Sequence, residues 1–210
     1  KLILTRHAES EWNATGRWSG RRNVHLSQKG FHETALLGQA LKDLELAINQ
    51  AYCSEQLRTM ETLEGMLNAS QQFDVPVMVS GAIDERDYGK YTGKNKWDMQ
   101  ELIGEEDFNK MRRGWDYEIP GGETLEMVYE RAVPFYQNEI VPQLLAGKNI
   151  LIVAHGNSLR ALMKYIDTIS DEDIEKLEMP FGEIIVYEVD ADGHAITKES
   201  THIDSPAPNA

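Results

Sequence analysis

Two short runs in this chain are apolar at nearly every position. They are Leu2-Ile3-Leu4-Thr5 and Ile150-Leu151-Ile152-Val153-Ala154, the second entered from Asn149. A strand with one wet face alternates apolar and polar residues, whereas a strand covered on both faces reads as a continuous apolar run. Both runs therefore predict central strands of a sheet sandwiched between helices. The segments between them alternate in the same sense. Ser27 is a fitting N-cap for a helix to about Leu46, with apolar residues at Ala35, Leu36, Ala40, Leu41 and Leu44. Ala51–Ser54 reads as a strand, and Gln56–Leu67 as a helix. Val75–Val79 reads as an edge strand, because Pro76 cannot donate to a ladder. The fold class that follows is α/β: a three-layer α/β/α sandwich, with a mostly parallel sheet and helices on both faces.

Residues 81–122 break this rhythm with Gly, Lys, Trp and short helical pieces, and read as a lid-like insertion on a rigid scaffold. Thr124 opens a helix toward Leu145 that Pro134 and Pro142 should bend or split. Ser158–Ile166 and Asp171–Leu177 read as helices and Ile184–Val189 as a late strand. Residues 203–210, ending in Ser-Pro-Ala-Pro-Asn-Ala, are expected to form a disordered tail. The 210 residues suit one domain over 1–210.

The chain carries 35 Asp and Glu against 21 Lys and Arg, a formal charge of −14. That argues against nucleic-acid binding, which needs a basic face. It leaves room for a small anion if cations gather locally. Three groups of them do: Arg6, Arg17, Arg21 and Arg22; Arg86, Lys90, Lys94 and Lys96; and Lys110, Arg112 and Arg113. Of these, Lys90, Lys94 and Lys110 read as solvated surface charges. The single cysteine, Cys53, sits in an apolar run and reads as a buried, inert thiol. No run is long enough to span a membrane, and Lys1–Leu4 is too short for the apolar stretch of a signal peptide. A cytoplasmic location is expected, with no membrane partner.

Both apolar runs end in histidine: Thr5-Arg6-His7 and Ala154-His155-Gly156-Asn157. Ligands of open α/β sheets bind beyond the carboxyl ends of the strands. Each histidine also precedes an expected helix start, where amides and the helix dipole favour an anion. One such histidine would read as a hydrogen-bonded strand end. Two, one beside Arg6 and the other beside Gly156 and Asn157, point to a site. A metal centre fits less well, since it wants further ligands and no adjacent guanidinium.

These motifs carry a resemblance. Arg6-His7-Ala8-Glu9-Ser10 with Asn13, Arg17-Trp18-Ser19-Gly20, Leu26-Ser27, and Ser54-Glu55-Gln56-Leu57-Arg58-Thr59 with Thr62 are followed by Glu85-Arg86-Asp87-Tyr88-Gly89 with Gly93, Asn95 and Lys96. Then come Arg112-Arg113 and Ala154-His155-Gly156-Asn157-Ser158-Leu159-Arg160. Together, in order along nearly the whole chain, they resemble the histidine phosphatase superfamily, and within it the cofactor-dependent phosphoglycerate mutases.

The resemblance implies a catalytic set. His7 is the phosphoryl-accepting nucleophile, Arg6, Arg58 and His155 stabilise charge on phosphorus, and Glu85 is the general acid and base. It implies that Asn13 and the Gly156 amide complete the phosphate cradle, and that Ser10, Ser19 and Gly20 line the pocket beside Asn157. Tyr88, Lys96, Arg112 and Arg113 would hold the carboxylate and distal phosphate of a small phosphorylated glycerate. The implied activity interconverts 3-phosphoglycerate and 2-phosphoglycerate in glycolysis and gluconeogenesis, primed by 2,3-bisphosphoglycerate and without a metal. The alternative is a histidine-type acid phosphatase acting on small phosphate esters through the same phosphohistidine. Monomer and homodimer are both left open.

Three departures stand out. Ala8 replaces the family's usual glycine. Arg21-Arg22-Asn23 replaces its aromatic and acidic residues. The stretch from Arg113 to Gly122 is short.

Overall fold

The computed structural model describes residues 1–203. Its centre is a six-stranded sheet in the order β3-β2-β4-β1-β5-β6. The strands are β1 (Leu2–Arg6), β2 (Gln50–Cys53), β3 (Val77–Val79), β4 (Ile150–Ala154), β5 (Glu183–Val189) and β6 (Ala195–His202). β1, β2, β3 and β4 run parallel to their neighbours among them, and β5 is antiparallel to both β1 and β6. The two apolar runs are thus adjacent central strands. Successive side chains on a strand face opposite ways, and each face buries its own core. Leu2, Leu4, Ile150 and Ile152 pack with Tyr136, Ile140, Leu159, Leu162 and Ile166 on one side. Ile3, Leu151 and Val153 pack with Leu37, Leu41, Leu63 and Met66 on the other.

The second face is covered by α2 (Gln28–Asp43) and α3 (Leu57–Ser70), which follow a four-residue α1 (Glu11–Ala14). Ser27 caps α2 by accepting from the Gly30 amide at 3.0 Å, as its sequence position implied. The two helices approach closely because both meet at glycine. A Cβ on Gly38 would lie 2.6 Å from the Met66 carbonyl oxygen, and one on Gly65 would lie 2.2 Å from Thr34 Oγ1. The first face is covered by α6 (Leu125–Phe135), α7 (Val141–Leu145) and α8 (Gly156–Ile166). The long helix expected from Thr124 carries Pro134 inside α6 and is interrupted beyond it, not broken. A single wide turn at Tyr136–Ile140 joins α6 to α7, and Pro142 sits in the first turn of α7, where no amide is required.

Residues 81–122 hold α4 (Lys96–Ile103), α5 (Glu105–Arg113) and two short 3₁₀ turns. They close over a separate apolar cluster of Trp18, Tyr88, Met99, Phe108, Met111 and Ile119.

Three sequence expectations need correcting. Asp171–Leu177 supports only a 3₁₀ turn at Ile174–Lys176, because Ile174 is its one deeply buried anchor. β6 was not anticipated. All eight of its residues are exposed, so it lacks the apolar period that marks a strand and exists by pairing with β5. Residue 203, assigned to the expected tail, is instead part of the folded structure. Ile203 is buried, with its amide donating to the Gly182 carbonyl at 2.8 Å; residues 204–210 lie outside the described residues.

Leu151 is fully buried between β1 and β2. Leu151→Ala should cost about 2–5 kcal/mol of stability. The measurement is a lowered urea midpoint at unchanged slope, and a loss below about 1 kcal/mol would contradict this packing.

Candidate active site

The site begins with strand register. β1 and β4 are parallel with Arg6 opposite Ala154, so the next residue of each strand emerges at the same level. The His7 amide continues the ladder, donating to the Ala154 carbonyl at 2.9 Å. The two imidazoles consequently lie with centroids 5.0 Å apart and planes at 62°.

His7 Nδ1 lies 2.7 Å from the Ala8 carbonyl oxygen. A carbonyl can only accept, so Nδ1 carries the proton and Nε2 presents a lone pair. Arg58 Nε donates to that Nε2 at 3.3 Å. Burial, reinforced by Arg58 and Arg6, holds the His7 pKa well below its ordinary value, which keeps the ring neutral. The Ala8 departure is harmless to this arrangement. Ala8 is not among the residues with positive φ, is fully buried, and donates its amide to Thr62 Oγ1 at 3.0 Å.

His155 has the complementary arrangement. The Thr59 hydroxyl donates to the Gln56 carbonyl at 2.8 Å, so the Ser54 hydroxyl donates onward to Thr59 Oγ1 at 2.8 Å. Ser54 Oγ then accepts from His155 Nε2 at 2.7 Å. That leaves His155 Nδ1, which is buried with no partner among the described residues. Burial, with Arg58 and His7 adding to it, also lowers the His155 pKa well below its ordinary value. An anion alongside would reverse that pressure and let Nδ1 donate.

The His7 ring opens onto a cavity of about 190 Å³ lined also by Arg6, Asn13, Ser19, Gly20, Arg58, Glu85, Tyr88, Lys96, Arg112, Arg113, Gly156 and Asn157. Every site residue expected from the sequence is brought to this wall except Ser10 and His155, and the fully buried His155 ring stands directly behind it, against His7. Ser10 sits behind it: its side chain caps α1 and its hydroxyl donates to Asn13 Oδ1 at 2.7 Å, which turns the Asn13 amide nitrogen outward. Arg58 is fixed by the Gly20 and Arg22 carbonyls at 2.9 and 3.0 Å. That gives the Arg21-Arg22-Asn23 departure a structural use. Arg21 pairs with Glu123 at 2.8 Å, and Asn23 Oδ1 accepts from the Leu57 amide at the start of α3.

Glu85 Oε1 accepts from the Arg86 amide at 2.8 Å and from the Asn157 side chain and amide at 3.1 and 3.3 Å. Lys96, the first residue of α4, has its pKa pushed down to about 8 by burial and by the neighbouring Arg6 and Arg112. Arg112 and Arg113 end α5, and Arg113 pairs with Glu178. The remaining histidines stay outside: His25 pairs with Glu61, and His194 lies against Tyr165. Cys53 is buried with its thiol pushed up to about 11, and is inert.

Sequence reasoning missed the segment Leu177–Phe181. Leu177, Glu178, Met179 and Pro180 line the cavity. Phe181 lies beneath the Arg6 guanidinium at 3.8 Å and edge-on to His7 at 5.8 Å. Met179 contributes its carbonyl to Arg6 NH1 at 3.2 Å. Pro180 and Gly182 mark a loop entering β5, but only the antiparallel direction of β5 places that loop beside His7. Arg160 also reaches the wall.

Comparison with known proteins agrees with this geometry. A curated 2,3-bisphosphoglycerate-dependent phosphoglycerate mutase of Parvibaculum lavamentivorans is 41% identical over 198 residues, covering 94% of each chain. A second, from Latilactobacillus sakei, is 38% identical over 224 residues, covering 95% of this chain and 98% of its own. The solved structure of Bacillus stearothermophilus YhfR superposes with a TM-score of 0.77 at 27% identity, covering 93% of this chain and 94% of its own. The family model of the histidine phosphatase superfamily, branch 1, matches residues 2–201. With paired imidazoles at the ends of two parallel strands and a match over almost its whole length, the chain belongs to the histidine phosphatase superfamily.

Proposed function

We propose that this chain is a 2,3-bisphosphoglycerate-dependent phosphoglycerate mutase, interconverting 3-phosphoglycerate and 2-phosphoglycerate through a phosphohistidine at His7. In this reading it works in the cytoplasm, in glycolysis and gluconeogenesis, as one domain with residues 81–122 as its lid. One observation carries the reading. Buried polar atoms that lack partners among the described residues, Arg6 Nε and Ser19 Oγ, belong to residues that line one cavity with His7, and His155 Nδ1, equally unpartnered and able to donate once its ring takes a proton, lies on the imidazole beside His7. Buried polar atoms are rarely left unpaired, and these suit the oxygens of a phosphoryl group. The wall also carries Lys96, Arg112 and Arg113, a second set of cations that fits a ligand with more than one anionic group. 2,3-Bisphosphoglycerate suits that pattern and supplies the phosphoryl group that primes the enzyme.

The residues then divide the work. His7 Nε2 attacks in line, and a P–N bond forms as the P–O bond to the leaving oxygen breaks. The electron pair goes to that oxygen, which takes the proton of the Glu85 carboxyl. In the return step the Glu85 carboxylate removes a proton from the accepting hydroxyl, and the P–N bond breaks. Arg6, Arg58 and His155 meet the charge on the equatorial oxygens, with Asn13 and the Gly156 amide at the start of α8 completing the cradle. Guanidinium and imidazolium groups fill the part a metal ion takes elsewhere, so the proposal includes none. Lys96, Arg112, Arg113, Tyr88 and Asn157 keep the substrate in place while it reorients.

A coupled assay should show isomerisation that depends on 2,3-bisphosphoglycerate; phosphate release without isomerisation would reverse the choice in favour of a phosphatase. His7→Ala should abolish labelling by a phosphoryl donor while leaving the fold and its thermal transition intact. Labelling that survives would move the nucleophile elsewhere. Lys96 is cationic only below about pH 8. Sulfate, which does not titrate here, should therefore bind more weakly as pH rises from about 7 to about 9. Calorimetry on wild type and Lys96→Met should show a steeper dependence in the first than in the second, since proton uptake by His155 is common to both.

A further inference from the structure

Arg160 is 6% exposed, yet among the described residues it pairs with no carboxylate. Its four side-chain bonds go to neutral oxygens on three segments: its own helix, the end of α5, and the turn at Ile174–Leu177. NH1 donates to Asn157 Oδ1 at 3.1 Å, Nε to the Leu177 carbonyl at 2.9 Å, and NH2 to the Arg113 and Ile174 carbonyls, each at 2.7 Å. Burial lowers its pKa to about 10, with Arg86 adding to the effect. A buried cation without a counter-ion is costly. Helix-to-loop ties alone could be made by a neutral side chain, so the placement of this one calls for a use.

The bond to Asn157 supplies one. An asparagine amide can be turned either way, and its two ends have opposite hydrogen-bonding character. Arg160 can only donate, so it draws Oδ1 to itself. That turns Nδ2 toward Glu85 Oε1 at 3.1 Å and Tyr88 Oη at 3.0 Å. Were the amide reversed, NH2 would face guanidinium and oxygen would face carboxylate. Three donors then hold Glu85 Oε1 as an acceptor. A carboxyl proton cannot sit on an oxygen so engaged, so it resides on Oε2.

We infer that Arg160 is a positioning residue for general acid catalysis: through the Asn157 amide it keeps the Glu85 proton on Oε2, and it anchors the Arg113 end of α5 to the same helix. The inference deepens the functional reading above and rests on it. The acid matters only when the leaving group needs a proton. The alkoxide leaving from a bisphosphoglycerate does; 4-nitrophenolate leaves without one. General acid catalysis contributes roughly 10²–10⁴-fold, and a carboxyl left misdirected forfeits part of that.

The test measures phosphohistidine formation in wild type, Arg160→Met, Arg160→Lys and Glu85→Gln, with 2,3-bisphosphoglycerate and with 4-nitrophenyl phosphate as donors. In Arg160→Met the ratio of the two rates should fall about tenfold or more, as it should in Glu85→Gln. Arg160→Lys, which keeps the charge and one donor but not the fork, should lie between. The double variant Glu85→Gln/Arg160→Met should lose no more than Glu85→Gln alone. Equal losses with both donors, in whichever Arg160 variant folds, would mean a merely structural residue and overturn the inference, as would additive losses in the double variant. Wild-type protein that labels from neither donor would overturn the functional reading itself.

Discussion

The in-register pairing of β1 with β4 is the constraint on which the site depends. Arg6 stands opposite Ala154, so His7 and His155 leave the sheet side by side although 148 positions separate them in the chain. A slip of one residue would turn every side chain of one strand to the other face. It would carry Leu2 and Leu4 into the core that Ile3 fills and Ile3 into theirs, where the volumes do not match. Packing on both faces therefore fixes the register, and the register fixes the spacing of the imidazoles. Catalytic geometry is here a by-product of core packing.

The second theme is concentrated positive charge in an acidic molecule. The chain carries −14, yet Arg6, Arg58, Lys96, Arg112, Arg113 and Arg160 line one cavity. Gathering them costs desolvation, which appears as lowered pKa values at Lys96, Arg58 and Arg160. The fold offsets the cost mainly with neutral oxygens: Gly20 and Arg22 for Arg58, Met179 for Arg6, and Met111 for Arg86. Carbonyl partners orient a guanidinium without cancelling its charge, as a carboxylate would. The charge stays available to an incoming anion.

Much of this was legible in the residues. The unalternating apolar runs named the central strands, and Ser27 and Thr124 named two helix starts by their capping chemistry. The motifs named nearly every side chain at the wall. What escaped had no local signature. β6 is exposed throughout and forms only because β5 offers an unpaired edge. Ser10 belonged to the motif but turned out to support Asn13 from behind, since one cap bond decides which side of the loop it occupies.

The sequence by itself determined the chemistry available: two histidines after apolar strands, a carboxylate in an irregular insertion, and cations enough for a phosphate. It determined the layers too, because hydrophobic period is a local property of the chain. Only the tertiary structure decided the ring tautomers, the direction of Glu85, and the presence of Leu177–Phe181 against Arg6 and His7. Those depend on which neutral oxygen or aromatic face stands a few ångströms away, and that neighbour comes from a distant segment whose direction no local pattern encodes.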